Sequence, residues 1–217
     1  MTALPRAAAA LVCAVAVVSL LLQFGLMLHA AEDTAPTWHL AVRFFSYFTV
    51  LSNLGVALAT ASVARRNRWP ARFATPRALG AVALYIAVTG LVYATALRQL
   101  WQPEGLQWWV DRALHYVVPL LYLGWWLACV PHGKLGWRDL WRWLLIPAAF
   151  LSWTLLRDAA VDEYPYPFMD VSALGLGQVL VNALVVLGAF LGVAAVLLLF
   201  DRALARRHTA VADLGRR

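Results

Sequence analysis

Six apolar stretches, at 8–29, 40–63, 77–99, 110–130, 139–157 and 174–200, each run close to the length a helix needs to cross a bilayer. About 20 residues, each rising about 1.5 Å, match about 30 Å of hydrocarbon. Backbone in hydrocarbon has no water to bond, so segments of this kind fold as helices that pair their N–H and C=O groups internally. The expected fold class is all-α: one polytopic domain over residues 1–217 with six transmembrane helices. The loops between the stretches are short and carry turn residues, among them Pro36, Pro70, Pro103, Pro131 and Pro165. They leave no room for a soluble domain.

Composition agrees. The chain is 63% hydrophobic and only 13% charged, against about 25% for an ordinary soluble domain. Its net charge of +7 could suggest a nucleic-acid partner, but the placement of the charge argues against one. Arginines 65, 66, 68, 72 and 77 lie between two apolar spans, and arginines 202, 206, 207, 216 and 217 follow the last. With Arg6, Lys134 and Arg138 they mark one side of the membrane, while Glu32, Asp33, Glu104, Asp111, Asp158, Asp162, Glu163 and Asp170 mark the other. By the positive-inside rule both termini are expected in the cytoplasm of a multi-pass inner (plasma) membrane protein. Tryptophans 38, 101, 108, 109, 137, 141 and 143 stand at span ends, as an aromatic belt would place them. The first stretch, with Arg6 ahead of it, has no convincing cleavage site and reads as a retained anchor. Cys13 and Cys129 read as small core residues, and no metal-ligand spacing occurs.

The second stretch is the odd one. Arg43, Ser46, Thr49, Ser52 and Asn53 lie in an otherwise apolar span. On one continuous helix Ser46, Thr49 and Asn53 share a face at i, i+3 and i+7, with Ser52 beside it. Polar groups in hydrocarbon cost free energy unless they find partners, so this stripe is expected to face protein or a water-bearing cavity. Arg98, Arg112, His115, Arg157, Gln178 and Asn182 fall at the same, non-cytoplasmic ends of other spans. Together they suggest a polar cavity opening outward, with its floor near Thr49 and Asn53.

A threonine in a membrane helix commonly bonds the carbonyl one turn back and does nothing more. Its functional reading is a nucleophile, which needs a base. His115 is the one histidine well inside a span and suits general-base work. Asp111, four residues earlier, either orients the imidazole or caps the fourth helix. Asn53, Arg43 and Arg157 are candidate donors to an oxyanion, or interhelical ties. The stiff aromatic run from Tyr164 through Tyr166 to Asp170 reads as a lid over the cavity or as a rigid interfacial turn.

Three segments together carry a resemblance: Tyr47-Phe48-Thr49-Val50-Leu51-Ser52-Asn53, His115-Tyr116-Val117-Val118-Pro119, and Tyr166-Pro167-Phe168. Their order and spacing resemble the androgen-induced / androgen-dependent TFPI-regulating protein family and its bacterial six-span branch. The resemblance implies an integral-membrane threonine hydrolase of fatty acid esters of hydroxy fatty acids, with Thr49 as nucleophile and His115 as the histidine. It implies a lipid or fatty acyl ester as substrate and no cofactor. The Val-Leu-Ser-Asn run after the threonine and the Tyr-Pro-Tyr-Pro loop depart from the animal pattern. The rival expectation is a lipid or small-molecule carrier that uses the same cavity without chemistry.

Overall fold

The computed structural model describes residues 3–31, 36–65, 71–100, 102–161 and 163–214. Glu32, Asp33, Arg66, Arg68, Trp101, Asp162, Arg216 and Arg217 lie outside the described residues, as do the side chains of Asp158 and Arg207. Every regular element among the described residues is helical. In chain order they are α1 (Ala3–Ala30), α2 (Thr37–Phe45), α3 (Phe48–Ala64), α4 (Pro76–Val92), α5 (Gly105–Arg112), α6 (Val118–Cys129), α7 (Trp137–Val161) and α8 (Val171–Leu214).

Among the described residues three helices are long and apolar enough to cross a membrane: Leu4–Ala30, Pro76–Leu97 and Val171–Arg206. A fourth joins them if α2 and α3 count as one span, but those two helices meet at 81°. This corrects the expectation of one straight helix over 40–63. Ser46 closes α2, and Tyr47 adopts an extended backbone (φ −102°, ψ 126°) before α3 begins. The break strips the Phe48 N–H of a helical partner, and the Tyr166 hydroxyl, 118 residues away, accepts it at 3.0 Å. Ser46 and Thr49 therefore do not share a helical stripe. Ser46 instead donates to Val42 O at 2.7 Å and accepts from Trp153 Nε1 at 3.0 Å.

Local sequence accounts for several other boundaries. Thr75 caps α4 by accepting from Ala78 N at 3.2 Å, with Pro76 behind it at the first helical position. Asp170 accepts from Ala173 N at 2.9 Å and from Ser172 Oγ at 2.6 Å, opening α8. Gly175, at φ 76°, breaks α8 after its first turn, a conformation that suits glycine. Two π-helical turns, Tyr93–Leu97 after α4 and Ala113–Val117 between α5 and α6, lie inside the helix runs. The second leaves one carbonyl without a helical donor. The Val118 N–H bonds Ala113 O in the π pattern, and the next residue, Pro119, has no N–H to offer Leu114 O. Helical backbone thus runs from Gly105 to Cys129, beginning ahead of the expected 110–130.

α3 lies at the centre, packed against α1 on one side and α4 on the other, with α6 and α8 against α4. Buried tyrosines tie the helices through their hydroxyls, Tyr85 to Trp143 O at 2.7 Å and Tyr122 to Leu79 O at 3.0 Å. Outward faces stay apolar: Leu120, Leu156 and Val185 are each about 70% exposed (70%, 74% and 69%), which suits lipid rather than water. Trp38, Trp109, Trp137 and Trp141 are exposed as a belt requires, whereas Trp143 is a core residue at 4% exposure.

Candidate functional site

The break before α3 places Thr49 in the first turn of a helix, where amide N–H groups have no intrahelical acceptor. The π turn after α5 carries His115 to the same point. Thr49 Oγ1 and His115 Nε2 stand 3.2 Å apart, on segments 66 residues distant in sequence. The other ring nitrogen, Nδ1, faces two oxygens of Asp111: the backbone carbonyl at 2.9 Å and Oδ1 at 3.2 Å. Both are acceptors, so the network assigns the proton to Nδ1 and leaves Nε2 as the acceptor. The Thr49 hydroxyl then donates to Nε2. That is the tautomer a general base needs.

Asp111 is 5% exposed and lies in the last turn of α5, not at its start, where Glu104 takes the capping position. The cap reading is therefore corrected. The second oxygen of its carboxylate accepts a hydrogen bond from the Tyr93 hydroxyl. Tyr93 also lies flat on the His115 ring, centroids 3.9 Å apart and 15° between planes. Behind the π turn the α4 backbone comes close at Gly90, where a Cβ would stand 3.2 Å from His115 O.

The remaining expected residues sort by their partners. Asn53 is fully buried, and its amide nitrogen donates to Thr49 O at 2.8 Å and to Leu114 O at 3.2 Å. The second of these is the carbonyl that Pro119 releases. Both amide hydrogens are used, so Asn53 ties α3 to the histidine turn and has none left for an oxyanion. Ser52 donates to Thr49 O at 3.0 Å and lies 2.9 Å from Thr89 Oγ1, a tie between α3 and α4. Arg157 is buried and grips Glu163 through its side chain and its backbone oxygen, the latter at 3.2 Å. Burial pushes the Glu163 carboxyl up, but the Arg157 hydrogen bond and the charge of Arg43 outweigh it and hold the group below its ordinary value. Asp170 caps α8 away from Thr49; the Ser172 hydroxyl and the Ala173 N–H keep its carboxyl below the usual range.

Tyr166 does reach the site. Its hydroxyl accepts from the N–H of Phe48, the residue before Thr49, and its side chain lines the same cavities as Thr49. Its ring stacks on Phe168 at 5.3 Å and meets Tyr47 edge-on at 6.1 Å. Burial pushes the phenol up to about 12, so it stays protonated at neutral pH.

Two chambers meet at Thr49 and Tyr166. One, of about 540 Å³, is lined by apolar groups of α3, α4, α7 and α8, including Phe48, Val88, Phe150 and Phe190. Its outer rim includes Leu180 and Leu184 of α8, both exposed on the apolar surface. The other, of about 590 Å³, holds the polar groups: His115, Asp111, Gln23, Gln107 and, at an exposed position, Arg43. Thr49 and Tyr166 line both; His115 lines the second alone. Arg98 and Arg112 belong to a third cavity behind Tyr93 and Asp111, of about 650 Å³.

Tyr93 was not among the residues singled out from the sequence. An aromatic hydroxyl near the end of an apolar span has a ready interfacial explanation, and no spacing links it to a carboxylate 18 residues later. No protein-family model, curated protein or solved structure matches the chain.

Proposed function

We propose that this chain is an integral-membrane ester hydrolase with Thr49 as nucleophile and His115 as general base. The observation that carries the reading is the Thr49 hydroxyl bonded to a histidine nitrogen whose lone pair is left free by Asp111. Nucleophile, base and orienting acid come from α3, the π turn and α5, an arrangement that fits acyl transfer.

In the acylation step Nε2 removes the Thr49 proton while Oγ1 bonds to the ester carbonyl carbon. The carbonyl π pair moves to oxygen, giving a tetrahedral oxyanion. Its collapse breaks the bond to the alcohol oxygen, which takes the proton from Nε2. Water then repeats the sequence on the acyl-threonine, with Nε2 accepting its proton and returning it to Oγ1, and the acid leaves.

The chambers divide the substrate. His115 must reach the leaving oxygen, so the alcohol portion lies in the chamber it lines, and the acyl chain occupies the apolar one. Arg43 on the second chamber suits an alcohol portion that carries a carboxylate. A fatty acyl ester of a hydroxy acid meets both demands, in line with the family resemblance. Six spans with both termini in the cytoplasm complete the proposal: α1, the bent α2–α3 pair, α4, the α5–α6 run, α7 and α8, in a plasma membrane. The exposed apolar faces and the basic residues gathered on one side support it.

Hydrolysis of a panel of long-chain esters by purified protein tests the reading. Turnover is expected for the native chain and is expected to fall by 10³-fold or more, to order of magnitude, in Thr49→Ala and in His115→Ala. Ester that is bound, recovered intact and never turned over would favour a carrier instead.

A further inference from the structure

A tetrahedral oxyanion buried in an apolar site needs a fixed donor, and the side chains first considered for that task are committed elsewhere. Both Asn53 amide hydrogens go to carbonyls, and Arg157 holds Glu163. Arg43 sits at an exposed position.

Tyr166 differs from all of these. Its oxygen lies at the N-terminus of α3, where Phe48 N, one residue before Thr49, donates to it at 3.0 Å. Amides at a helix start carry the positive end of the helix dipole, so they polarise the O–H bond and strengthen it as a donor. In the Phe48 contact the phenol oxygen accepts, so its hydrogen is left to be donated. The oxyanion is the oxygen on the carbon that Oγ1 attacks, at the junction that Thr49 and Tyr166 both line. Tyr166 also stands where the two chambers meet, which is where a substrate carbonyl must sit if its arms occupy both.

We propose that the Tyr166 hydroxyl, backed by the N-terminal amides of α3, donates the hydrogen bond that stabilises the oxyanion formed at Thr49. The 164–170 loop then supplies a catalytic residue and does more than cover the cavity. This rests on the reading of Thr49 as nucleophile.

The test compares Tyr166→Phe with the native chain, using Thr49→Ala as reference, on a long-chain p-nitrophenyl ester. The ring contacts with Tyr47 and Phe168 remain in Tyr166→Phe, and only the hydroxyl is lost. Removing one oxyanion donor costs roughly 10²–10³-fold in kcat, and KM is expected to change little. Inhibition by a long-chain trifluoromethyl ketone, whose adduct carries the oxyanion, is expected to weaken in parallel, while inhibition by the free fatty acid does not. A fluorinated tyrosine at 166 keeps the hydroxyl and the fold but ionises at lower pH. Its turnover is expected to match the native chain near neutrality and to fall at a lower alkaline pH than the native chain does. A kcat for Tyr166→Phe within a few-fold of native, or a fluorotyrosine pH profile identical to native, overturns the proposal. If Thr49→Ala is inactive in the same assay, the nucleophile survives that failure; if Thr49→Ala is fully active, both readings fall.

Discussion

Tyr93 lies flat on the imidazole of His115, 3.9 Å between ring centroids, while its hydroxyl bonds the carboxylate that faces His115 Nδ1. One residue thus fixes the histidine twice, through its ring plane and through its partner acid. Tyr93→Phe keeps the stack and removes the bond. The loss of one buried hydrogen bond to a charged group is worth about 1.5–3 kcal/mol. If a fraction of this reaches the transition state, kcat is expected to fall by roughly 10-fold. Steady-state kinetics beside Tyr93→Leu, which loses the stack as well and should fall further, separates the two contributions.

Asp111→Asn is expected to be milder than the same change in a serine protease triad. There the carboxylate alone sets the histidine tautomer, and its loss costs roughly 10⁴-fold. Here the Asp111 backbone carbonyl also accepts from Nδ1, at 2.9 Å, and no side-chain substitution removes it. The tautomer survives, and the expected loss in kcat is on the order of 10–100-fold, mainly from weaker stabilisation of the imidazolium. A drop as large as that of His115→Ala would contradict this.

Asn53→Ala is expected to act on stability. It removes the side-chain bonds to two buried carbonyls, Thr49 O and Leu114 O. Thr49 O keeps the Ser52 hydroxyl, so the cost falls on Leu114 O, and leaving one such group unsatisfied costs about 1–3 kcal/mol. The native side chain already carries a buried Oδ1 without a protein partner, so the net loss lies toward the low end. A lower Tm with KM retained is the expected pair of results. Loss of kcat at unchanged Tm would put Asn53 back at the oxyanion.

The Arg157–Glu163 contact gives the loop carrying Tyr166 a pH dependence. The Glu163 carboxyl is held below its ordinary 4.5. A depressed carboxyl contributes stability that is fully present above about 4.5 and lost as pH falls through the lower, folded-state value. The protection of amides over 163–170, taken as the exchange rate relative to the intrinsic rate at each pH, is expected to fall below that pH in the native chain. In Glu163→Gln protection should be low already at pH 7 and change little on acidification.

The long apolar runs made the helical class and the exposed apolar faces legible in sequence, because length and hydropathy speak directly to hydrocarbon thickness. Thr49 and His115 were also legible, as polar groups with no place in lipid. The bend at Ser46–Tyr47 was not. It contains neither glycine nor proline, and its orphan amide is satisfied by Tyr166 from 118 residues away. With the bend hidden, Ser46 seemed to share a face with Thr49, and Thr49 gave no sign of standing at a helix start. Asn53 misled for a related reason. Its tie to Leu114 O depends on a π turn that Pro119 permits but does not announce. Asp111, in the last turn of α5, and Tyr93, at the start of a π turn, meet across two helices, a contact that no local spacing announces.

The most direct test of the central claim is covalent trapping of Thr49. The purified full-length chain is treated with a long-chain fluorophosphonate, digested, and the adduct located by mass spectrometry. The expected result is one adduct on the Tyr47–Asn53 segment at Thr49, absent from Thr49→Ala and strongly slowed in His115→Ala. Labelling at another residue that persists in Thr49→Ala, with ester hydrolysis intact, would contradict the account.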